Sequence, residues 1–159
     1  MILYHGSLVI VEKPRIMRAN RPLDFGTGFY TTTSLQQARR WVKLRMEQQD
    51  TTAGFINIYD YIADKELHTH RFKSANEAWV DFVHANRTIP HYNHAFDIVE
   101  GPVANDNVYL SFNLYESGII TKSELIRRLK TYKLVDQLLF HTERSLQTLT
   151  FIDKKEVKL

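Results

Sequence analysis

The chain has 159 residues, 43% of them hydrophobic and 25% charged, the size and balance of one soluble globular domain spanning 1–159. It contains no cysteine, which excludes disulfides, thiolate metal ligands and thiol nucleophiles. No apolar run approaches the roughly 20 residues needed to cross a bilayer, and Met1-Ile2-Leu3-Tyr4-His5 lacks the basic and apolar regions of a signal peptide. A cytoplasmic protein without membrane partners is expected.

The net charge of +3 is unevenly placed. Residues 12–47 carry eight basic groups (Lys13, Arg15, Arg18, Arg21, Arg39, Arg40, Lys43, Arg45) against three acids, while residues 48–107 carry four basic groups against nine acids. A basic first segment suits a polyanion, either a dinucleotide or a nucleic acid, and suits equally a set of solvated helix faces.

In chain order, Ile2-Leu3-Tyr4 reads as a strand, and Gly28-Phe29-Tyr30-Thr31-Thr32 as a second. Ser34-Leu35-Gln36-Gln37 predicts a capped helix running to about Gln48, with Leu35, Ala38, Val42 and Met46 on one face. Phe55 to Ile62 is strand-like. Ser74-Ala75-Asn76-Glu77 predicts a second capped helix, its apolar stripe Ala78, Trp79, Phe82 and Val83. Phe96 to Val99 is a further strand. Val108, Phe112 and Tyr115 predict a helix from Asp106 to Ser117, with Gly118 closing it. Thr121-Lys122-Ser123-Glu124 opens another, with Leu125 and Leu129 inward. Leu138 to His141 and Thr150 to Ile152 complete the strands. The irregular mixture, with no βαβ alternation, predicts an α+β fold with a largely antiparallel sheet.

Two segments carry chemistry. His5-Gly6-Ser7 follows the first strand. A glycine there lets a ligand reach the backbone, and the imidazole and hydroxyl beside it can bond ribose hydroxyls. Asp24-Phe25-Gly26-Thr27-Gly28-Phe29-Tyr30 is a two-glycine turn delivering Tyr30, and Trp41 follows eleven residues later on the first helix. Two aromatics on separate elements can hold a flat cationic ring by stacking and cation–π attraction, although filling the core is the commoner fate of such side chains.

The two segments, in this order and about 25 residues apart, resemble the poly(ADP-ribose) polymerase branch of the ADP-ribosyltransferases, which share their catalytic fold with diphtheria-type toxins. The chain is still more similar to a bacterial family of small ADP-ribosyltransferase-like proteins of unknown function. That likeness rests on Tyr4-His5-Gly6-Ser7, Asp24-Phe25-Gly26-Thr27-Gly28-Phe29-Tyr30-Thr31-Thr32, Gly101-Pro102-Val103, Asp136-Gln137 and Phe140-His141-Thr142-Glu143. The resemblance implies a split, mostly antiparallel sheet with surrounding helices and NAD+ as a substrate. His5 would bond a ribose hydroxyl and the Gly6 backbone would clamp the nicotinamide carboxamide, with Ser7 beside them. Tyr30 and Trp41 would sandwich the nicotinamide ring. The segment from Val11 to Leu23 would lie near the adenosine and phosphates, with Arg18 or Arg15 as the phosphate partner.

The resemblance places a glutamate at the start of a late strand, where Gln137 stands here. A glutamine can hold a ribose hydroxyl, but it supplies no negative charge to a developing cation and cannot deprotonate an acceptor. Three readings stay open: mono-transfer with Gln137, rescue by Asp136 or Glu143, or a non-catalytic NAD+-binding relative. The family's serine on the Trp41 helix is replaced by Ala38, for which Thr31 or Thr33 can compensate.

The expected activity is therefore mono-ADP-ribosylation of a macromolecular acceptor, protein or nucleic acid, by a bacterial or phage toxin or effector. The resemblance also implies a small helical antitoxin as a partner. The alternative is an inactive module that binds NAD+ or ADP-ribose. His68 with His70, and His91 with His94, have spacings that invite a metal, but no accompanying ligand pattern, so no metal is expected. His141 is expected in the core or at the pocket rim.

Overall fold

The computed structural model describes residues 1–18, 23–103 and 106–159. Seven strands form one sheet: β1 (Ile2–Ser7), β2 (Phe29–Thr32), β3 (Ala53–Tyr61), β4 (Thr69–Arg71), β5 (Ile98–Pro102), β6 (Asp136–Phe140) and β7 (Leu149–Lys158). Their order is β4-β5-β6-β2-β1-β3-β7, and every pairing is antiparallel except β4 with β5. Five helices accompany them: α1 (Leu35–Gln48), α2 (Glu77–Thr88), α3 (Asp106–Glu116), α4 (Lys122–Leu129) and the single turn α5 (Glu143–Leu146). The α+β class with a mostly antiparallel sheet is as expected.

Strand alternation sorts the side chains onto two faces. On one, Ile56, Ile58 and Val157 meet Ala38, Val42 and Met46 of α1. Further along the same face, Val99 and Leu139 meet Trp79, Val80, Phe82 and Val83 of α2, Val108 and Phe112 of α3, and Leu125 and Leu129 of α4. The opposite face carries Leu3, Phe29, Tyr59, Tyr61, Ile98, Leu138 and Phe140. It is covered by Leu67, Leu146 and the segment bearing Val11 and Ile16.

The helix starts follow their caps, with two corrections. Ser34 and Thr121 accept the N–H groups of Gln37 and Glu124 at 3.1 Å as expected. The Glu124 carboxylate, however, turns to Arg127 and Arg128 rather than back to the cap. α2 begins two residues later than the Ser74 signature implied. Asn76, as strong a cap as serine, accepts the Trp79 N–H at 3.0 Å, and this phase buries Val80 while leaving Ala78 exposed. The reciprocal capping box lies at Thr142 and Ser145 of α5. Gly118 closes α3 at φ +75°, a left-handed position that suits glycine. β7 runs far beyond the expected Thr150–Ile152. Its Asp153-Lys154-Lys155-Glu156 run is a charged edge strand, without the apolar alternation that marks a half-buried one.

Candidate functional site

His5-Gly6-Ser7 forms the second half of β1 rather than a turn after it. β1 pairs with β3 along its whole length, from Ile2↔Asp60 to Ser7↔Phe55, but meets β2 at the single pair Tyr4↔Thr32. The phase of the ladder fixes where each peptide points. Met1 and Tyr61 exchange both backbone bonds, at 2.9 and 2.8 Å. In an antiparallel pair such bonded positions recur at every second residue. Leu3, His5 and Ser7 therefore turn their peptide groups to β3, while Ile2, Tyr4 and Gly6 turn theirs to β2.

Tyr4 finds Thr32 there. Gly6 finds no ladder partner, because its counterpart Tyr30 is engaged otherwise: the Tyr30 carbonyl accepts the His5 Nδ1–H at 2.7 Å. A side chain has replaced a rung of the sheet. The Gly6 N–H and C=O, adjacent donor and acceptor, open into the gap where β1 and β2 part, and Gly6 is only half-buried.

A carbonyl only accepts, so Nδ1 carries the ring proton and Nε2 offers a lone pair. Among the described residues Nε2 has no hydrogen-bond partner. The ring lies on Phe29, centroids 4.2 Å apart. Burial, aided by the positive charge of Arg45 and opposed by the Tyr30 carbonyl, holds the imidazole pKa down at about 4. His5 is a neutral acceptor at ordinary pH.

Gly6 is glycine for a packing reason as well as the one expected. A Cβ there would stand 2.7 Å from the Ala38 carbonyl oxygen and 2.9 Å from Val42 Cγ2, so the missing side chain is what lets α1 lie directly on β1. The same close packing brings Trp41, 39% exposed, over Gly6. Across the gap, Tyr30 projects from the same sheet face. Its hydroxyl donates to the Gly26 carbonyl at 2.7 Å and accepts the Phe25 N–H at 3.3 Å, which pins the ring to the turn that precedes β2. Burial raises its pKa well above the usual tyrosine value.

That turn has supports the sequence did not reveal. The His141 Nδ1–H donates to the Thr27 carbonyl at 2.8 Å, leaving Nε2 buried without a partner among the described residues, and its ring meets His94 edge to face at 4.2 Å. Burial, then the charge of His94, lowers the His141 pKa to about 4. Asp24, 7% exposed, accepts the Tyr109 hydroxyl on both oxygens at 3.3 Å, and burial lifts its carboxyl to about 6. These partners come from α3, the residue after β6 and the segment before β5, so no local motif announces them.

Gln137 sits in a row across the sheet: Tyr4, Thr32, Gln137, Gly101. Its side chain is on the face of Gly6 and Tyr30, one step along the sheet, and its amide has no hydrogen-bond partner among the described residues. Asp136 projects from the opposite face, and Glu143 is exposed on α5 past the other end of β6. Ser7 accepts the Val9 N–H at 3.3 Å. Arg15 and Arg18 are exposed on the segment that covers the His5 face, held there by Asn57 bonds to Val9 and Val11. Arg21 lies outside the described residues. The Thr31 hydroxyl is committed to the Leu138 carbonyl at 2.9 Å, on the face away from Ala38, and Thr33 is exposed. Among the described residues no group of three or more His, Asp or Glu could hold a metal ion, and His70 stacks on Phe96 at 4.6 Å. No described helix is long and apolar enough to cross a membrane.

Residues 1–151 match the model of a family described as a protein of unknown function (DUF3990). No curated protein matches the chain.

Proposed function

The chain belongs to this DUF3990 family, and we propose that it binds NAD+ by its nicotinamide end and transfers ADP-ribose to a macromolecular acceptor. One observation carries the reading: the Gly6 N–H and C=O face the gap between β1 and β2, where among the described residues β2 gives them no ladder pair. A primary carboxamide is the complement of that pair, since its C=O accepts from the N–H while its NH2 donates to the carbonyl. Trp41 packs over Gly6 and Tyr30 projects from the same sheet face on β2, so a flat ring held here would lie between them. The neutral Nε2 of His5, on the other side of the sheet, would accept a ribose hydroxyl. A dinucleotide threaded through the gap would then run toward Arg15 and Arg18.

In the transfer the bond between nicotinamide and ribose breaks, and nicotinamide leaves with the electron pair. The acceptor's nucleophile bonds to the freed carbon and gives its proton to water. This chain's part is to hold the carboxamide, orient the ribose and keep the leaving ring still. Gln137 can bond a ribose hydroxyl, but it brings no charge to the positive centre. That last point favours a second reading, an NAD+-binding module without turnover.

Titration calorimetry with nicotinamide and with nicotinate tests the pocket. Nicotinamide should bind, and nicotinate, lacking the NH2 and carrying a charge, should bind at least about tenfold more weakly, a difference of 1.4 kcal/mol. Equal affinities, or none, would remove the carboxamide clamp. Incubating the protein with NAD+ labelled in the adenylate, together with bacterial lysate, separates the two readings: labelled acceptor supports transfer, and bound but unconsumed NAD+ supports the module. Growth arrest on expression in bacteria, relieved by His5→Ala, is the outcome expected of a toxin.

A further inference from the structure

A second basic feature lies beside Gln137 and has no role in holding NAD+. A cavity of about 250 Å³ opens between the first two turns of α1 and the segment that leads into β6. It is lined by Ser34, Gln36, Gln37, Arg40 and Lys133, with Val103, Leu134 and Val135 at its base. Ser34 is two residues beyond Thr32, and Val135 two before Gln137, and Thr32 and Gln137 are paired neighbours in the sheet. The cavity therefore adjoins the Gln137 end of the row that leads to the gap.

The chemistry of its lining is one-sided. Among the described residues it contains a guanidinium, an ammonium, two amides and a hydroxyl, and no carboxylate. Asp136, the nearest acid in sequence, projects from the opposite sheet face. Among the described residues neither Arg40 nor Lys133 takes part in an ion pair, although Arg127 and Arg128 on the nearby α4 both pair with Glu124. Two unpaired cations converging on a small polar cavity repel one another unless an anion lies between them. The charge also continues outward. Gln36, Arg40 and Lys43 fall at i, i+4 and i+7 and share one stripe of α1, and Arg40 and Lys43 are exposed and unpaired there among the described residues. Cations about one helical turn apart can follow successive phosphates of a strand, and such phosphate contacts supply most of the affinity for nucleic acid.

We infer that this cavity seats a backbone phosphate of a single-stranded nucleic acid, which runs along the Arg40–Lys43 stripe of α1 and is the acceptor brought to Gln137. The acceptor role rests on the transferase reading above; the binding site itself does not. The stripe is the outer face of the helix whose inner face packs on Gly6, so one helix links strand binding to the gap.

The test is fluorescence anisotropy with labelled single-stranded 20-mers of RNA and of DNA, and with a labelled polyglutamate peptide. It uses the full chain and R40Q/K133Q, whose melting temperature should be unchanged because both side chains lie at the surface. Nucleic acid should bind with a steep salt dependence. The double variant should bind at least tenfold more weakly, with a log–log salt slope shallower by about 0.7, the value for one phosphate on a single strand. Comparison of the RNA and DNA arms names the sugar. No binding of either strand, unchanged affinity in the double variant, or polyglutamate bound as tightly as nucleic acid each overturns the inference. Nicotinamide affinity, measured alongside, should be equal in both proteins. Loss of nucleic-acid binding in the variant when neither protein binds nicotinamide supports this site and refutes the pocket. Nicotinamide binding without nucleic-acid binding does the reverse.

Discussion

The His5 imidazole donates Nδ1–H to the Tyr30 carbonyl at 2.7 Å, in the place where the next rung between β1 and β2 would form. One bond thus does two things: it satisfies a strand carbonyl that would otherwise be orphaned, and it fixes the tautomer that turns Nε2 outward as an acceptor. The first prediction follows from the pKa of about 4. Because the ring is neutral well below pH 6.5, NAD+ affinity should stay flat from pH 8 down to about pH 5.5. His5→Ala should weaken it about tenfold, the loss of a hydrogen bond together with the ordering it supports. An affinity that declines around pH 6.5 in the wild-type protein would contradict this picture of His5.

The same depressed values shape stability. A histidine that is neutral when folded and basic when unfolded leaves the unfolded chain binding more protons between the two pKa values, so stability rises with pH there. For His5 and His141 the window runs from about 4 to 6.5. Their contribution is complete above pH 6.5 and is lost as the pH falls toward 4. At 1.36 kcal/mol per unit, each shift is worth up to roughly 3 kcal/mol. Melting temperature should drop across this window, and H5Q and H141Q should each flatten the drop. A curve unchanged in both variants would show that neither ring is desolvated as described.

Much of this architecture was legible in the chain. Ala38, Val42 and Met46 recur at one helical spacing and do form the buried face of α1, because nothing in the tertiary structure competes with so regular a stripe. Ser34 and Thr121 announced their helices for the same reason: a cap is a local interaction. The site was legible only as two motifs. That His5-Gly6-Ser7 belongs to the strand depends on β3 lying beside it, a partner about 50 residues away. The supports at Asp24 and Thr27 depend on Tyr109 and His141, which the sheet order and the helical layer bring in from distant sequence. Local patterns encode turns and caps; what a turn rests on is decided by topology.

Gly6 provides a third prediction. In Gly6→Ala the new methyl meets backbone oxygen at 2.7 Å and Val42 at 2.9 Å, so α1 must move off the sheet. A cost of about 2–3 kcal/mol is expected from overpacking of this kind. Gly118→Ala meets nothing within 4 Å and strains only its own backbone at φ +75°, which costs about 1 kcal/mol. Urea midpoints should therefore rank wild type, then Gly118→Ala, then Gly6→Ala. The reverse order of the two variants would mean that α1 is free to shift over β1.

Asp24 should show pH behaviour opposite to that of the histidines. Burial raises its carboxyl from 3.8 to about 6, against the pull of Arg87 and the Tyr109 hydrogen bond. The folded chain thus holds a proton that the unfolded chain has lost between those values, and stability falls as the pH rises through the window. Above pH 6 the ionised, buried carboxylate is a standing cost of up to about 3 kcal/mol. Asp24→Asn keeps an acceptor for the Tyr109 hydroxyl and removes the charge. It should raise the melting temperature at pH 7.5, with the advantage vanishing below pH 4. A destabilised variant at pH 7.5 would show that the Arg87 and Tyr109 contacts outweigh burial.

Gln137 decides between transfer and binding alone. Its amide is buried, unpartnered among the described residues, and on the same face as Gly6 and Tyr30, while Asp136 points away and Glu143 lies beyond the far end of β6. Neither acid is positioned to stand in for it without moving. Gln137→Glu places a carboxylate of nearly the same size in that row. If the pocket accepts NAD+ and lacks only a negative charge near the ribose, the variant should release nicotinamide faster, by about tenfold for each 1.36 kcal/mol of stabilisation it gives the developing cation. Its rate should also rise with pH through the carboxyl pKa, which burial raises above 4.3. Gln137→Ala should keep most of the nicotinamide affinity and lose turnover. If instead Gln137→Glu leaves nicotinamide release unchanged while Glu143→Ala or Asp136→Ala abolishes it, the third position lies elsewhere and α5 or the start of β6 must close over the gap when NAD+ binds.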